Sequence, residues 1–176
     1  ALLILLAAAV LTVRDFATGE RLAFSGFFVR DIASDVLKLA MYVVTGFVFV
    51  YAKPFLQDRN LYKGEFYALV LFALLGMMLM VSAGGLVTLY LGLELLALSA
   101  YGLVAMDREN PVASEAAMKY FILGSMASGL LLYGMSLVYG ATGSLQLADI
   151  YAAAGALPAG GNEATLLTLG VVFLLV

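Results

Sequence analysis

"YALVLFALLGMMLMV", residues 67–81, is an unbroken apolar run with no alternation of period two. A strand of a membrane barrel alternates lipid-facing and lumen-facing residues, and a helix on the surface of a soluble protein keeps a polar face. This run does neither. Backbone polar groups cannot stay unpaired in hydrocarbon, so such a segment crosses a bilayer as a helix. The rest of the chain agrees. Of 176 residues, 64% are hydrophobic and 12% are charged, and the mean hydropathy is +1.06. The solvent that makes sense of this composition is lipid.

Working outward from residues 67–81, apolar segments fall at about 1–13, 36–52, 65–82, 86–106, 111–140 and 165–176. The first and last are shorter than the ~20 residues that cross a bilayer as a helix. The expectation is an all-α, polytopic transmembrane helical bundle. It has about four complete helices plus two partial ones, in a single transmembrane unit over 1–176. The chain reads as an internal fragment of a longer polytopic protein. Ala1 to Val13 has the length of the apolar part of a signal peptide, but no basic residues precede it and no cleavage motif is clear.

The connections carry their own signals. "RDFATGERLAFSGFFVRDIASDV" is polar, with Thr18-Gly19 as a turn signal and a weakly strand-like alternation in "RLAFSGFFV", which suggests a small hairpin. "AKPF" closes the second helix, because Pro54 removes a backbone donor. "SAGG" (82–85) is a tight turn, and no strand precedes it that would make it a phosphate loop. Asn110 is an N-cap with Pro111 as first helical residue. A Gly- and Ala-rich loop fills 141–164. Lys53, Arg59, Lys63 and Arg108 lie in the loops on one side, while 83–85 and 141–164 carry no Lys or Arg. Basic residues favour the first side as cytoplasmic, and Arg14, Arg21 and Arg30 in the 14–35 loop weaken the contrast.

Several function classes drop out. Without Cys there is no disulfide framework and no thiolate metal site. Without His, the side chain that most easily switches charge near neutral pH is missing. The net charge is −3 with no basic run, which points away from nucleic acid. No motif binds a nucleotide, haem or iron–sulfur cluster.

The informative residues are the charges inside the apolar segments. Glu94 sits in the middle of "LYLGLELLALSAYGLV" (89–104), about 12 Å into its helix and too deep for a short side chain to reach the headgroups. A charge there costs roughly 2.5–3.5 kcal/mol, to be offset by a partner, water or protonation. Tyr90 and Tyr101 follow the same line and make a weak polar stripe, with Ser99 off it. The competing reading is a protonated Glu acting as packing glue. Lys119 follows Glu115 at i+4 in "SEAAMKYF", so the two pair on one face. Lys119 either snorkels to the interface or reaches inward toward Glu94. "GSMASG" (124–129) places small residues four apart and reads as tight helix packing rather than a ligand site. Lys38 reads as a snorkelling anchor at the start of the second helix, and "GMMLM" (76–80) as apolar filler.

A Glu-centred helix, a short charged loop, "EAAMKYF" and "TGSL" occur in this order across residues 89–150. This stretch closely resembles subunit N of bacterial proton-pumping NADH:quinone oxidoreductase, respiratory complex I. The wider family also includes the other antiporter-like subunits of complex I and subunits of multisubunit cation/proton antiporters. Those tend to carry an aromatic residue just before the glutamate, where this chain has Leu93. The resemblance implies a full subunit of about fourteen transmembrane helices with two inverted five-helix repeats, a form seen in transporter folds. It implies that Glu94 takes part in proton transfer, that Glu115 and Lys119 are charged partners in the relay, and that a central lysine lies beyond Val176. It further implies a multi-pass protein of the bacterial cell inner membrane whose partners are the other membrane subunits and the lipid bilayer. This chain would bind no cofactor or metal, and NAD, flavin, iron–sulfur clusters and quinone would serve redox chemistry elsewhere in the assembled complex. The expected function is therefore a proton-translocating subunit coupled to NADH oxidation and quinone reduction. A cation/proton antiporter subunit and a structural membrane scaffold are the alternatives.

Overall fold

A computed structural model describes residues 1–16, 21–158 and 160–175. The described residues form seven helices and one small hairpin. In chain order they are α1 (Leu2–Arg14), β1 (Arg21–Ala23), β2 (Phe28–Arg30), α2 (Ile32–Asp58), α3 (Gly64–Val81), α4 (Leu86–Val104), α5 (Pro111–Thr142), α6 (Leu147–Ala156) and α7 (Asn162–Leu175). Four of them, α2 to α5, are long and apolar enough to cross a membrane. Most large apolar side chains point outward, as a lipid-embedded bundle requires. Val43, Val44, Phe47 and Val50 on α2 are exposed, as are Ile122, Leu123 and Met126 on α5.

Two small cores hold the helices together. In α2 the buried positions are Asp35, Lys38, Tyr42, Thr45, Phe49 and Leu56, a stripe at spacings of three, four and seven that faces α1 and α3. Tyr42 and Phe49 pack there with Leu5 and Leu74. The second core joins Leu86 to Met135 and Val138. Between them, two glycine pairs let helix backbones touch. A Cβ on Gly76 of α3 would sit 2.6 Å from the Gly92 carbonyl of α4, and one on Gly92 would sit 2.7 Å from the Gly76 carbonyl. Gly134 of α5 and Gly170 of α7 meet in the same way, at 2.8 and 3.0 Å. Without a hydrophobic force between helices in lipid, such close approach supplies the van der Waals contact that associates them.

The polar stretch is a hairpin, but its turn lies within "RLAFSGFFV". Arg21 pairs with Arg30, Leu22 with Val29 and Ala23 with Phe28. The chain reverses through Phe24, Ser25 and Gly26, at φ of 51°, 56° and 89°. The expected Thr18-Gly19 turn lies outside the described residues. The hairpin is sewn to the "SAGG" turn, where Val29 N–H donates to the Ser82 carbonyl (2.8 Å) and Gly84 N–H to the Phe27 carbonyl (3.0 Å). That turn in turn holds 145–147, through Leu86 N–H to the Leu145 carbonyl (2.9 Å) and Leu147 N–H to the Gly84 carbonyl (3.0 Å). A Cβ on Gly85 would meet the Phe27 ring at 2.6 Å, so the turn closes only with glycine.

Several boundaries differ from the sequence expectation. The second helix starts at Ile32 rather than 36, because Asp31 caps it and Ser34 returns the bond in a capping box. It also continues through Pro54 to Asp58 instead of ending near 52. Burial of Leu56 (3% exposed) and the Arg59 guanidinium over the Phe55 ring hold the last turn despite the missing donor. The 141–164 loop contains α6, and the last helix begins at Asn162 rather than about 165. Lys38 is not a snorkelling anchor. It is 6% exposed and lies beside Asp35 (3.8 Å), on the buried stripe of α2. Its head cannot reach the headgroups because its helical face is covered by α1, α3 and the hairpin.

Candidate functional site

Helix geometry decides which way Glu94 points. Gly92 is pressed against α3, and two residues further on the helix has turned about 200°. Glu94 therefore leaves α4 on the side away from α3, toward α5. There the Ser128 hydroxyl donates to Glu94 Oε1. Ser128 has one proton to give, so its oxygen accepts from the Tyr90 hydroxyl, 3.0 Å away. Tyr90, Ser128 and Glu94 thus form a directed chain of hydrogen bonds from one turn nearer the hairpin end of α4. A cavity of about 390 Å³ adjoins the carboxylate, with Tyr101, Tyr120 and Ser128 among its polar walls and Phe173 and Leu174 of α7 closing one side.

The stripe of Tyr90, Glu94 and Tyr101 therefore exists, and each member has a setting. The Tyr101 ring stands edge-on to Tyr120 (4.8 Å between centroids) and to Phe121 (5.6 Å). Gly124 leaves the room that the Tyr101 hydroxyl fills. Ser99 is buried and spends its proton on the Leu95 carbonyl (2.6 Å) of its own helix.

"GSMASG" does not serve as the backbone-packing motif. Gly129 faces open space, Gly124 receives a side chain, and Ser128 is a ligand of Glu94. The close helix contact of α5 lies further along, at Gly134. Lys119 pairs with Glu115, and their side chains are 70% and 66% exposed. Ser128 is nine residues beyond Lys119, two and a half turns, so Lys119 lies on the opposite face of α5 from Glu94. Among the described residues Glu94 has a hydroxyl partner and makes no ion pair.

The site lies within a stretch of the chain that matches a known family. The model for the NADH:quinone oxidoreductase/Mrp antiporter transmembrane family matches residues 83–176, which include α4, α5 and every member of the Glu94 site. The chain belongs to this family. Among curated relatives, NADH-quinone oxidoreductase subunit N of Thiobacillus denitrificans is 62% identical over 149 residues, covering 85% of this chain and 31% of the relative. Subunit N of Nitrosomonas europaea is 49% identical over 172 residues, covering 98% of this chain and 35% of the relative. Among solved structures, the fold matches a chain of respiratory complex I from Thermus thermophilus with bound aureothin. That match has a TM-score of 0.70 and 33% identity, and covers 99% of this chain and 35% of the other. A chain of the membrane-bound sulfane sulfur reductase, an archaeal respiratory membrane complex, matches with a TM-score of 0.75 and 25% identity, over 98% and 37%. The chain spans about a third of the length of the curated relatives it matches. The resemblance to subunit N is borne out. So is the all-α antiporter-like membrane fold, and the family is one of multi-pass membrane proteins.

Proposed function

We propose that this chain is part of a proton-translocating, N-type membrane subunit of an NADH:quinone oxidoreductase in the bacterial inner membrane, and that Glu94 loads and releases the proton. The observation that supports this most directly is the Tyr90–Ser128–Glu94 chain beside its cavity. With Glu94 ionised, each hydroxyl donates toward the carboxylate. With Glu94 protonated, the acid donates to Ser128 and both hydroxyls turn around. The wire therefore accommodates either state and passes a proton by reversing its polarity. A cation brought near a carboxylate favours its charged form, and withdrawing the cation removes that support. Among the described residues no cation pairs with Glu94, and in this reading the cation is supplied by the rest of the protein or by a neighbouring subunit. Glu115 and Lys119, paired on the outer face of α5, are placed to exchange charge with an adjoining subunit rather than with Glu94. Flavin, iron–sulfur, NAD and quinone chemistry belongs to other subunits of the complex.

The test is Glu94→Gln in the full-length chain within its complex, reconstituted in vesicles. The expected result is normal assembly with a severalfold fall in protons moved per NADH oxidised. Unchanged pumping refutes the reading. Cation/proton exchange by the vesicles without NADH identifies an antiporter subunit instead. If Glu94→Gln is silent and Glu94→Ala blocks assembly, the residue is a scaffold element.

A further inference from the structure

Among the described residues, buried charged side chains occur in one place, away from the half-buried Glu94. Asp35 and Lys38 lie one and two turns inside α2 and are only 3% and 6% exposed. Arg30, from the hairpin, forks onto Asp35, with Nε 3.1 and 3.0 Å from the two carboxylate oxygens and Nη2 3.0 Å from Oδ2. Its Nη1 reaches Asp15 at 3.1 Å. The hydrogen bond to Asp35 holds the Arg30 proton even more firmly than usual, outweighing the opposing effect of burial, with Asp15 adding to it. Lys38 Nζ stands 3.8 Å from the same Asp35, outside hydrogen-bond range, and 5.4 Å from the centroid of the Phe28 ring. It faces a cavity of about 240 Å³, which is edged by Asp15 with its side chain 47% exposed.

Two cations therefore share one buried carboxylate, and they are not equivalent. Arginine takes the forked geometry and keeps its proton at any physiological pH. Lysine is left with the longer contact and lines the cavity. Of the two cations, lysine is the one able to give up a proton. When it does, the Arg30–Asp35 pair remains whole and neutral. The other groups around Nζ do not compete for that role. Helix α1 offers Thr12 and Asp15, the hairpin offers Phe28 and Arg30 with Asp31 further off, α2 offers Tyr42, and α3 offers only Met78. At about 240 Å³ the cavity is large enough for several waters of roughly 30 Å³ each.

We infer that Lys38 is a second proton-exchange site in this chain, separate from Glu94, which trades its proton with water entering past Asp15 and Arg30. In the step, one Nζ–H bond breaks, the proton leaves as hydronium, and the amine keeps the electron pair. Uptake reverses this. Arg30 and Asp35 are positioning residues whose own ion pair stays intact while Lys38 changes charge.

Arginine keeps the charge but gives up no proton, so the decisive pair of variants is Lys38→Arg and Lys38→Met. Both are placed in the full-length chain of the assembled complex, an arm that rests on the complex membership proposed above. The expected result is a severalfold drop in protons moved per NADH oxidised for both, with NADH oxidation by an artificial acceptor unchanged. If Lys38→Arg pumps like the parent, a fixed charge suffices and the inference falls. A second measurement needs no variant and no pumping. Cyanate carbamylates neutral amines, so the unsubstituted complex is treated with it from neutral to mildly alkaline pH and its lysines are read by mass spectrometry. Lys38 is expected to be modified alongside the exposed Lys53 and Lys63. Modification of Lys53 and Lys63 with Lys38 untouched overturns the inference. Because the labelling does not involve Glu94, its outcome stands apart from the result for Glu94→Gln.

Discussion

The contact between Ser128 and Glu94 has a measurable energy. Hydrogen bonds between transmembrane helices contribute about 0.6 kcal/mol on average and up to about 1.7 kcal/mol, because the unfolded chain in the membrane also finds partners. A hydrogen bond to a charged group is stronger, about 1.5–3 kcal/mol in soluble proteins. The Ser128–Glu94 bond joins two helices and has a carboxylate acceptor, so its coupling is expected at about 1–2 kcal/mol. A double-mutant cycle on Glu94→Ala and Ser128→Ala isolates that number, since alanine leaves no acceptor at position 94. The assay is unfolding of the full-length chain in mixed micelles, titrated with a denaturing detergent. The built-in control is Ser125→Ala. The Ser125 hydroxyl bonds the Phe121 carbonyl of its own helix at 2.7 Å, so its coupling to Glu94 is expected to vanish. The Tyr90→Phe, Ser128→Ala cycle samples the neutral link and is expected near 0.6 kcal/mol. A Glu94–Ser128 coupling no larger than that of Ser125 refutes the proton wire, because the carboxylate then does not sit on Ser128.

Gly92→Leu drives a Cβ to 2.7 Å from the Gly76 carbonyl and 2.8 Å from Met80, so α3 and α4 are forced apart. A loss of about 1–3 kcal/mol is expected in the same unfolding assay, against little change for Gly129→Ala, where the space is open. Asp31 is held below the usual carboxylate range, chiefly by the bond from Ser34 N–H, so its folded value lies under its unfolded one. Its stabilising contribution is therefore full above the unfolded value and fades as pH falls through the folded one. Thermal unfolding should show Asp31→Ala less stable than the parent at neutral pH, with the gap closing in acid, while Asp31→Asn keeps the cap and loses the pH dependence. Breaking the exposed Glu115–Lys119 pair by Lys119→Ala should shift stability by less than about 0.5 kcal/mol, with any effect lost in high salt.

The membrane helices were legible because lipid imposes one rule on every residue of a span, so residues 67–81 alone settle the fold class. The ends were less legible. The Asp31–Ser34 capping box lies in a stretch whose charges read as loop, and burial of Leu56 carries α2 past a proline that would stop an isolated helix. Glu94 stood out by its cost in lipid, but Ser128 did not. A serine four residues from a glycine carries the same pattern whether it packs a backbone or ligates a carboxylate, and only the rotation fixed by Gly92 decides. Lys38 was misread because depth along a helix says nothing about which face is covered. Its three neighbours come from 20 or more residues away in the case of α1 and α3, and from the hairpin, whose fold depended on a turn the sequence marked in another place.

The Gly76–Gly92 and Gly134–Gly170 contacts make two rigid helix pairs, and the strand-like stitching of 82–86 to 145–147 pins them together at one end. Glu94 lies between that seam and the contact of Tyr101 with Tyr120 and Phe121, so α4 is held against α5 on both sides of the carboxylate. A change of charge at Glu94 is then met by turning hydroxyls, without moving a helix.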